Sequence, residues 1–346
     1  MKIALDASYS IGQHLSGVGV YSREILFGLA AGHLETGFRF CYRPHKVLRS
    51  FHDQFPPNAH RRLIHDLAPG IRGDVFHFLN QRVAKHRCRY TICTFHDLFV
   101  MTGDYSSPDF RARFTEQAKN AAAASDLIVT VSRFTADQVS ALLGVPSSRI
   151  RVIHHGVRLP SSTADSIRRE PLILFVGAIQ RRKNIGRLVE AFENTAPGWR
   201  LVLAGGFGFG AQEIVERVER STRHADIELS GYVTPEALEL LYRRASIFAF
   251  PSLDEGFGMP ILDAMAREIP VLTSNRSAMP EVAGDAALLV DPDDTEALQE
   301  GLRVLTLDET LRNELATRGF SRSLKFTWES ALQQTWGVYR ELTGFQ

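Results

Sequence analysis

The chain has 346 residues, 44% hydrophobic and 23% charged, a composition typical of a soluble globular protein with room for two domains. No stretch approaches about 18 consecutive apolar residues, so a transmembrane helix is not expected, and the N-terminus predicts a first strand and no signal peptide. Three cysteines, Cys41, Cys88 and Cys93, are too few for a disulfide framework and lack zinc-ligand spacing, which favours a reducing, cytoplasmic compartment.

The predicted elements alternate between strands and helices along the whole chain. Strands are predicted in the first half over residues 2–7, 74–79, 90–97, 126–132 and 150–156, with helices over 19–32, 110–125 and 133–144. A polar stretch at 158–171 without apolar periodicity predicts a linker. Beyond it, strands are predicted over residues 172–178, 199–206, 227–233, 246–252, 269–275 and 286–292, and an amphipathic helix closes the chain at 328–346.

Apolar runs without strict alternation indicate parallel sheets that are covered on both faces. The sequence therefore predicts an α/β protein with two doubly wound, Rossmann-like domains, residues 1–165 and 166–327, that face each other across a cleft. The last helix is expected to pack back on the first domain. In such sheets, ligands bind at the carboxyl ends of the strands.

The net charge of +1 conceals an asymmetry between the two predicted domains. Residues 1–165 hold 20 Lys and Arg against 13 Asp and Glu, whereas the remainder holds 20 against 26. Two domains with different surfaces would account for this difference. The other interpretation is a basic first domain that contacts an anionic membrane or a lipid-linked phosphate.

The stretch PSLDEGFGMPILDAMAREIPVL, residues 251–272, places two acids around a glycine-bracketed loop. Gly256 and Gly258 allow a ligand to approach the backbone closely, and a helix that begins near Pro260 favours an anion at its N-terminus. Glu255 and Asp263, as acceptor-only carboxylates, suit the hydroxyls of a ribose or a sugar. Together these groups indicate a nucleotide sugar, although Glu255 alone fits an ordinary surface acid equally well.

Two further loops support this hypothesis. Arg181, Arg182 and Lys183 follow a predicted strand directly, where a diphosphate would lie. Gly17 and Gly19 open the first helix and offer backbone amides to a phosphate, although a lone G-x-G is weak evidence. His96 ends a buried strand, and a polar side chain at that position needs a partner or a ligand.

The donor loop, together with FVGAIQRRKN, LAGGFG, GYVTPEALELLYRRAS, TVSRFT, FHDL, HHGV and SGVGVYSREI, resembles the retaining glycosyltransferases of family four, which have the GT-B fold. The match runs in the family's order from about residue 3 to residue 294. The resemblance implies transfer of a sugar from a nucleotide donor, with retention of anomeric configuration and without a metal ion or other cofactor.

The resemblance also implies a role for each matching residue. Glu255 would bind the donor sugar, Asp263 the ribose, and Arg182 and Lys183 the diphosphate, while His96 would reach the transferred sugar. The residues implied to line the donor site through backbone contacts are Gly17, Gly19, Gly177, Gly256, Phe257 and Gly258. Asp263 departs from the family, because a Glu is usual there; Glu268 and His155 depart where Gly and Asn are common.

The implied donor is GDP-mannose, with dTDP-rhamnose and UDP-hexoses as alternatives, and the implied acceptor is a glycan or a lipid-linked glycan of a bacterial surface polysaccharide. No nucleic acid partner is expected. The implied location is cytoplasmic, with peripheral contact at the inner face of the membrane through the basic first domain. The alternatives to transfer are a non-hydrolysing nucleotide-sugar epimerase and a nucleotide-sugar-binding protein with a decayed site.

Overall fold

The computed structural model describes residues 1–12, 15–64, 70–160 and 168–345. Its backbone contacts divide the chain into two compact units: the first comprises Met1–Thr102, Ser107–Gly156 and Trp328–Gln346, and the second comprises Gly103–Ser106 and Val157–Thr327. The predicted domain boundary at residues 165–166 lies outside the described residues, as does the middle of the predicted linker.

The first unit is built on a fully parallel sheet of seven strands. The strand order is β3-β2-β1-β4-β5-β6-β7, so the direction of winding reverses between β1 and β4. The strands are β1 (Lys2–Asp6), β2 (Gly37–Tyr42), β3 (Ala59–Leu63), β4 (Arg72–Phe78), β5 (Arg87–Phe95), β6 (Leu127–Thr130) and β7 (Ile150–Val152). The helices are α1 (Gly17–Gly32), α2 (Pro44–Val47), α3 (Phe99–Thr102), α4 (Pro108–Ala124) and α5 (Arg133–Leu143).

The second unit repeats this plan with six parallel strands in the order β10-β9-β8-β11-β12-β13. The strands are β8 (Glu170–Val176), β9 (Arg200–Ala204), β10 (Ile227–Gly231), β11 (Ala245–Phe250), β12 (Val271–Ser274) and β13 (Leu288–Val290). The helices are α6 (Ile185–Phe192), α7 (Ala211–Glu219), α8 (Pro235–Arg244), α9 (Met259–Met265), α10 (Met279–Ala283), α11 (Thr295–Leu307) and α12 (Glu309–Ser323). The order reverses between β8 and β11, whose carboxyl ends therefore flank the expected ligand position.

Local sequence accounts for where the principal helices begin. Ser16, Ser107 and Ser132 precede α1, α4 and α5, and each side-chain oxygen accepts a hydrogen bond from a backbone amide of the first turn. This satisfies one of the amide donors that a helix start leaves without a partner. Among the described strands, the longest buried apolar runs lie in the second unit, over residues 172–175 of β8, 201–204 of β9 and 247–250 of β11.

The last helix, α13 (Trp328–Thr343), is part of the first unit. Its Tyr339 hydroxyl lies 2.7 Å from His77 Nδ1 on β4. A Cβ atom on Gly156 would lie 2.2 Å from the backbone nitrogen of Trp328, so the chain passes directly against the start of α13. Among the described residues, no helix is long and apolar enough to cross a membrane.

All eleven predicted strands are confirmed, but the sequence patterns miss β2 and β3. The strand β3 has the sequence AHRRL, and its central His60, Arg61 and Arg62 hide the apolar pattern. Among the described strands, it pairs only with β2 and so forms an edge of the sheet, where charged side chains are common because an edge strand faces water.

Candidate active site

The centre of the candidate site is Glu255, in the loop between β11 and α9. Its carboxylate oxygen Oε1 accepts hydrogen bonds from Ser252 Oγ at 2.6 Å and from Lys183 Nζ, and it forms an ion pair with Arg182 Nη1 at 2.9 Å. Glu255, Arg182 and Lys183 are all buried, with at most 8% of each residue exposed. The structure therefore brings three of the four predicted catalytic residues into one ion cluster, called the Glu255 cluster below.

Two opposing effects determine the charge of Glu255. Burial raises the pKa of its carboxyl group, but the charges of Arg182 and Lys183, with the hydrogen bonds from Lys183 and Ser252, outweigh burial and lower the pKa to about 2. Glu255 is thus ionised at every physiological pH. One carboxylate faces two cations, so the cluster has a net positive charge and can attract an anion.

The two cations of the cluster are positioned by a tight turn after β8. Residues Arg181–Lys183 form a 3-10 turn, and Asn184 follows it in a left-handed conformation (φ 58°), with its side-chain amide donating to the Pro292 carbonyl at 2.6 Å. The Arg182 carbonyl accepts a hydrogen bond from the Leu253 amide at 2.9 Å. This bond ties the cation turn to the Glu255 loop, and both lie at the carboxyl ends of the neighbouring strands β8 and β11.

Glycines are required at both loops of this site. Gly258 has φ +94°, and a Cβ atom there would lie 2.6 Å from Met279 Cε. Gly177 has φ +153° at the exit of β8, and its carbonyl oxygen would lie 1.9 Å from a Cβ on Gly205.

The predicted donor residues Gly256 and Phe257 are buried in the loop between β11 and α9. The Phe257 ring packs edge-on against Phe326 at 5.9 Å.

Asp263 has a different environment from Glu255. It lies on α9, where its Oδ1 is 3.6 Å from Arg267 Nη1, and Arg267 also binds Glu239 of α8 at 2.7 Å. The Asp263 side chain retains 37% exposure, but desolvation and the neighbouring Glu239 outweigh Arg267 and raise its pKa to about 6. The described charged neighbours of Asp263 are thus Arg267, which follows α9, and Glu239 of α8, and the Glu255 cluster does not include Asp263.

The remaining predicted site residues, His96, Gly17 and Gly19, belong to the first unit. His96 is buried, its Nε2 donates to the Leu79 carbonyl at 2.9 Å, and burial lowers its pKa to about 4. Gly17 and Gly19 form the first turn of α1, and the Gly19 amide donates to the Ser16 hydroxyl at 3.4 Å. Each unit therefore holds its own part of the predicted set.

Sequence reasoning missed two groups that the structure brings forward. Ser252 donates to Glu255, and its position three residues before the acid at a strand exit is the signal that could have identified it. Asp6 ends β1 fully buried, and its Oδ2 lies 3.9 Å from Arg43 Nη2. Burial raises the pKa of Asp6. The signal was an acid within the first apolar run.

Among the described residues, no group of three or more His, Cys, Asp and Glu side chains could hold a metal.

The chain is similar to known proteins over most of its length. It matches the family model of group 1 glycosyl transferases over residues 164–322 and that of glycosyltransferase family 4 over residues 32–159. The O-antigen chain mannosyltransferase B of Escherichia coli is 33% identical over 276 residues, which cover 74% of this chain and 72% of the relative.

Solved structures of low sequence identity share the fold. Sucrose-phosphate synthase from Thermosynechococcus elongatus aligns with a TM-score of 0.77 at 20% identity, covering 99% of both chains. Anabaena HepE, in complex with UDP and glucose, aligns with a TM-score of 0.73 at 16% identity, covering 97% of this chain and 98% of the other. The strand orders of the two parallel sheets and the similarity to these solved structures confirm the GT-B fold. The family models and the Escherichia coli relative show that the chain belongs to glycosyltransferase family 4, the group 1 glycosyltransferases, and is a glycosyltransferase.

Proposed function

We propose that the protein transfers mannose from GDP-mannose to a lipid-linked glycan during the synthesis of a bacterial surface polysaccharide, with retention of anomeric configuration. The observation that carries the proposal is the buried Glu255 cluster at the carboxyl ends of β8 and β11. The Escherichia coli relative, an O-antigen chain mannosyltransferase, supports the choice of mannose and of a polysaccharide acceptor. UDP-sugars are the main alternative, because HepE is similar in fold and was solved with UDP and glucose.

In the proposed reaction, Arg182 and Lys183 stabilise the leaving nucleoside diphosphate. The bond between the anomeric carbon and the β-phosphate oxygen breaks, and its electrons remain on the phosphate. The acceptor hydroxyl forms the new bond on the same face, and its proton passes to the departing phosphate. Fixed cations in a buried site stabilise such developing charge more strongly than water does, because they do not need to reorganise.

Glu255 has two roles in this proposal. In the free protein, its carboxylate holds Arg182 and Lys183 in place, because both cations form ion pairs with the same oxygen. In the complex, the diphosphate would share these cations, and the carboxylate would accept a hydroxyl of the transferred sugar. Asp263 would bind the ribose, and the Gly17–Gly19 turn and His96 would contribute from the first unit. No divalent metal is needed, because the cations and amides supply the positive charge.

The donor is tested by thermal unfolding of the purified protein with GDP, UDP and dTDP. A nucleotide present at 100 times its Kd stabilises the folded state by about 2.7 kcal/mol, so GDP should raise the Tm most. Transfer from GDP-mannose to a short mannoside acceptor is then measured in EDTA, and the anomeric configuration of the product is read by NMR. If UDP is the only nucleotide that stabilises the protein, the donor is a UDP-sugar and not GDP-mannose. Loss of transfer in EDTA with recovery in manganese would contradict metal independence, and an inverted product would contradict retention.

A further inference from the structure

The segment between β2 and β3 carries the most exposed large apolar side chains of the described residues. The name β2–β3 segment is used for residues 43–64, which include α2, a 3-10 turn at Leu48–His52 and the edge strand β3. Leu48 is 77% exposed and Phe51 is 65% exposed. Two such side chains so near to each other in one turn indicate a surface that is covered when the protein functions.

Leu48 and Phe51 lie on one side of the turn and are held there. A 3-10 turn has three residues per turn, so side chains three positions apart are aligned. The Arg61 guanidinium of β3 lies 4.1 Å from the centre of the Phe51 ring and donates to the Ser50 carbonyl at 2.7 Å. The Phe51 ring is therefore fixed at the surface by a neighbouring strand.

The charges of the β2–β3 segment are almost all positive. It contains five Lys and Arg residues, three His and a single acid, Asp53. Asp53 is bound by Arg23 of α1 at 3.0 Å, which leaves the surface around the turn basic. Lys46 and Arg49 flank Leu48 in the sequence, so cations and apolar side chains alternate over the same few residues.

Protection of the sheet edge does not account for this composition. Cations on an edge strand prevent pairing with another chain, which would account for His60 and Arg62 of β3. Leu48 and Phe51, however, lie outside the strand, and exposed apolar side chains beside an edge promote association. A specific protein interface buries about 800 Å² on each partner. Two exposed apolar side chains cover only a small part of such an area. Insertion into a lipid interface requires only a small apolar group beside cations.

We propose that the β2–β3 segment is a docking surface for an anionic phospholipid bilayer. Leu48 and Phe51 enter the boundary between headgroups and acyl chains, while Lys46, Arg49 and Arg62 face the headgroup phosphates. This inference rests on the proposed lipid-linked acceptor and names the surface that would meet it. The edge strand β3 lies two strand spacings, about 10 Å, from β1, and the turn follows the carboxyl end of β2. A glycan anchored in the bilayer would thus start near the carboxyl edge of the first sheet, where ligands bind.

The test is sedimentation of the full-length protein with sucrose-loaded vesicles. Vesicles of phosphatidylcholine alone are compared with vesicles containing 30% phosphatidylglycerol at low salt. Wild type should bind the anionic vesicles at least about tenfold more strongly, because each cation near an anionic surface contributes roughly fivefold. Lys46→Glu with Arg49→Glu should weaken binding at least about twentyfold, and Leu48→Ser with Phe51→Ser at least about tenfold.

Matched controls lie at the amino ends of strands of the first sheet, whereas the turn follows the carboxyl end of β2. Leu34 is 63% exposed before β2, so Leu34→Ser removes a similar side chain from the other end of that strand. Arg87→Glu with Arg89→Glu reverses two charges at the start of β5. Both controls should bind like wild type. The proposal would be overturned by equal losses in the controls, by unchanged binding in either β2–β3 variant, or by no binding of wild type to anionic vesicles. The last of these outcomes would favour an acidic protein partner.

The vesicles contain neither donor nor acceptor, so this experiment is independent of sugar transfer. All variants are checked by circular dichroism and by transfer to a water-soluble acceptor, which should proceed at the wild-type rate because no residue of the Glu255 cluster is changed. A protein that binds vesicles but does not transfer mannose would contradict the proposed donor and leave the docking surface in place. A protein that transfers mannose but does not bind vesicles would contradict the docking surface alone.

Discussion

A single carboxylate, Glu255, neutralises part of the charge of two buried cations. It therefore contributes to the stability of the fold as well as to the proposed transfer. Removing one partner of a buried ion pair usually costs about 3–5 kcal/mol, because the remaining charge is left uncompensated. Arg182 and Lys183 both form ion pairs with the same oxygen of Glu255. A change at Glu255 is therefore expected to affect both stability and transfer, and the two effects must be measured separately.

Glu255→Gln keeps the shape of the side chain but removes its charge. We expect transfer to fall by about 100-fold or more, as for the loss of preorganised electrostatic stabilisation. The free energy of unfolding should fall by about 2–3 kcal/mol, slightly less than for complete removal, because the amide oxygen still accepts a hydrogen bond. Nucleoside diphosphate should raise the Tm of the variant more than that of wild type, since it would supply the missing negative charge.

Glu213→Gln is the matched control for this measurement. Glu213 binds Arg181, the first cation of the same turn, but the pair is exposed on both sides. Exposed ion pairs contribute about 0–1 kcal/mol, so this variant should unfold and turn over nearly like wild type. If Glu255→Gln behaves like Glu213→Gln, the Glu255 cluster is not the donor site.

Asp263 makes a pH-dependent prediction, because its pKa is raised to about 6. A carboxylate that accepts hydrogen bonds from ribose hydroxyls does so best when ionised, so nucleotide affinity should decrease as the pH falls from 7.5 to 5. Hydrogen bonds to charged groups contribute about 1.5–3 kcal/mol, and calorimetry at pH 7.5 should show at least about tenfold weaker binding for Asp263→Asn.

The Asn variant also corrects for titration of the nucleotide phosphate, whose second pKa is near 6. Wild type should therefore lose more affinity between pH 7.5 and 5 than Asp263→Asn does. Glu239→Gln removes a like charge that raises the pKa of Asp263, so it should move the midpoint of the wild-type curve to lower pH. Identical pH curves for wild type and Asp263→Asn would show that the Asp263 carboxylate does not bind the nucleotide.

At the scale of elements, the sequence predicts what short-range physics determines. The apolar runs of β8 and β11 fix buried strands, and Ser16, Ser107 and Ser132 mark the starts of helices. The strand β3 was missed because its Arg61 and Arg62 are accommodated by its position at the sheet edge, which depends on strands distant in sequence. The Arg61 side chain also stacks on Phe51. The partners of Asp263 were missed for the same reason, since Glu239 comes from another helix.

The helix α13 depends on a close approach that only glycine permits. A Cβ on Gly156 would lie 2.2 Å from the backbone nitrogen of Trp328 and 2.6 Å from its Cα. Backbone atoms cannot move aside like the end of a side chain, so Gly156→Ala must displace the start of α13. Overpacking of this kind typically costs 1–3 kcal/mol, and we expect a loss of about 3 kcal/mol in urea unfolding.

Gly337→Ala supplies the control within the same helix. Gly337 lies inside α13, and a Cβ there would meet no atom within 4 Å. Alanine has a higher helix propensity than glycine by up to about 1 kcal/mol, so this variant should be as stable as wild type or slightly more stable. Equal stability of Gly156→Ala and wild type would mean that α13 does not rest on Gly156 in solution.

At the scale of the whole molecule, the repeated strand-helix pattern predicted both doubly wound units. The family motifs place the chemistry in the loops after β8 and β11, which stays a prediction. The ion pairing of Glu255 with both cations was not predictable, because it requires the loops after β8 and β11 to lie side by side. Nor did the pattern reveal that the first unit buries several of its histidines. His77 and His155 are as buried as His96, and the sequence offers no sign of their protonation state.

Burial keeps these three histidines neutral in the folded protein. Desolvation lowers the pKa of His77 to about 3 and that of His96 to about 4, and it places the pKa of His155 well below the usual value of 6.5. In the unfolded chain each would take up a proton below about pH 6.5. The stability that they contribute is therefore complete above pH 6.5 and is lost as the pH falls toward 4. Asp6 and Asp263, whose pKa values burial raises, act in the opposite direction, but they are two groups against three.

We expect the free energy of unfolding to fall steeply below pH 6.5, by up to about 1.4 kcal/mol per pH unit for each buried histidine. His77→Gln removes one of these groups while keeping polar atoms near Thr94 and Tyr339, its partners at 2.8 and 2.7 Å. The variant should be less stable at pH 7.5, where the fitted hydrogen bonds of the imidazole are lost, but its stability should decline less steeply by about 1.4 kcal/mol per pH unit between pH 6 and 5. Urea unfolding at several pH values gives both slopes, and parallel curves for wild type and variant would show that His77 is already protonated in the folded protein.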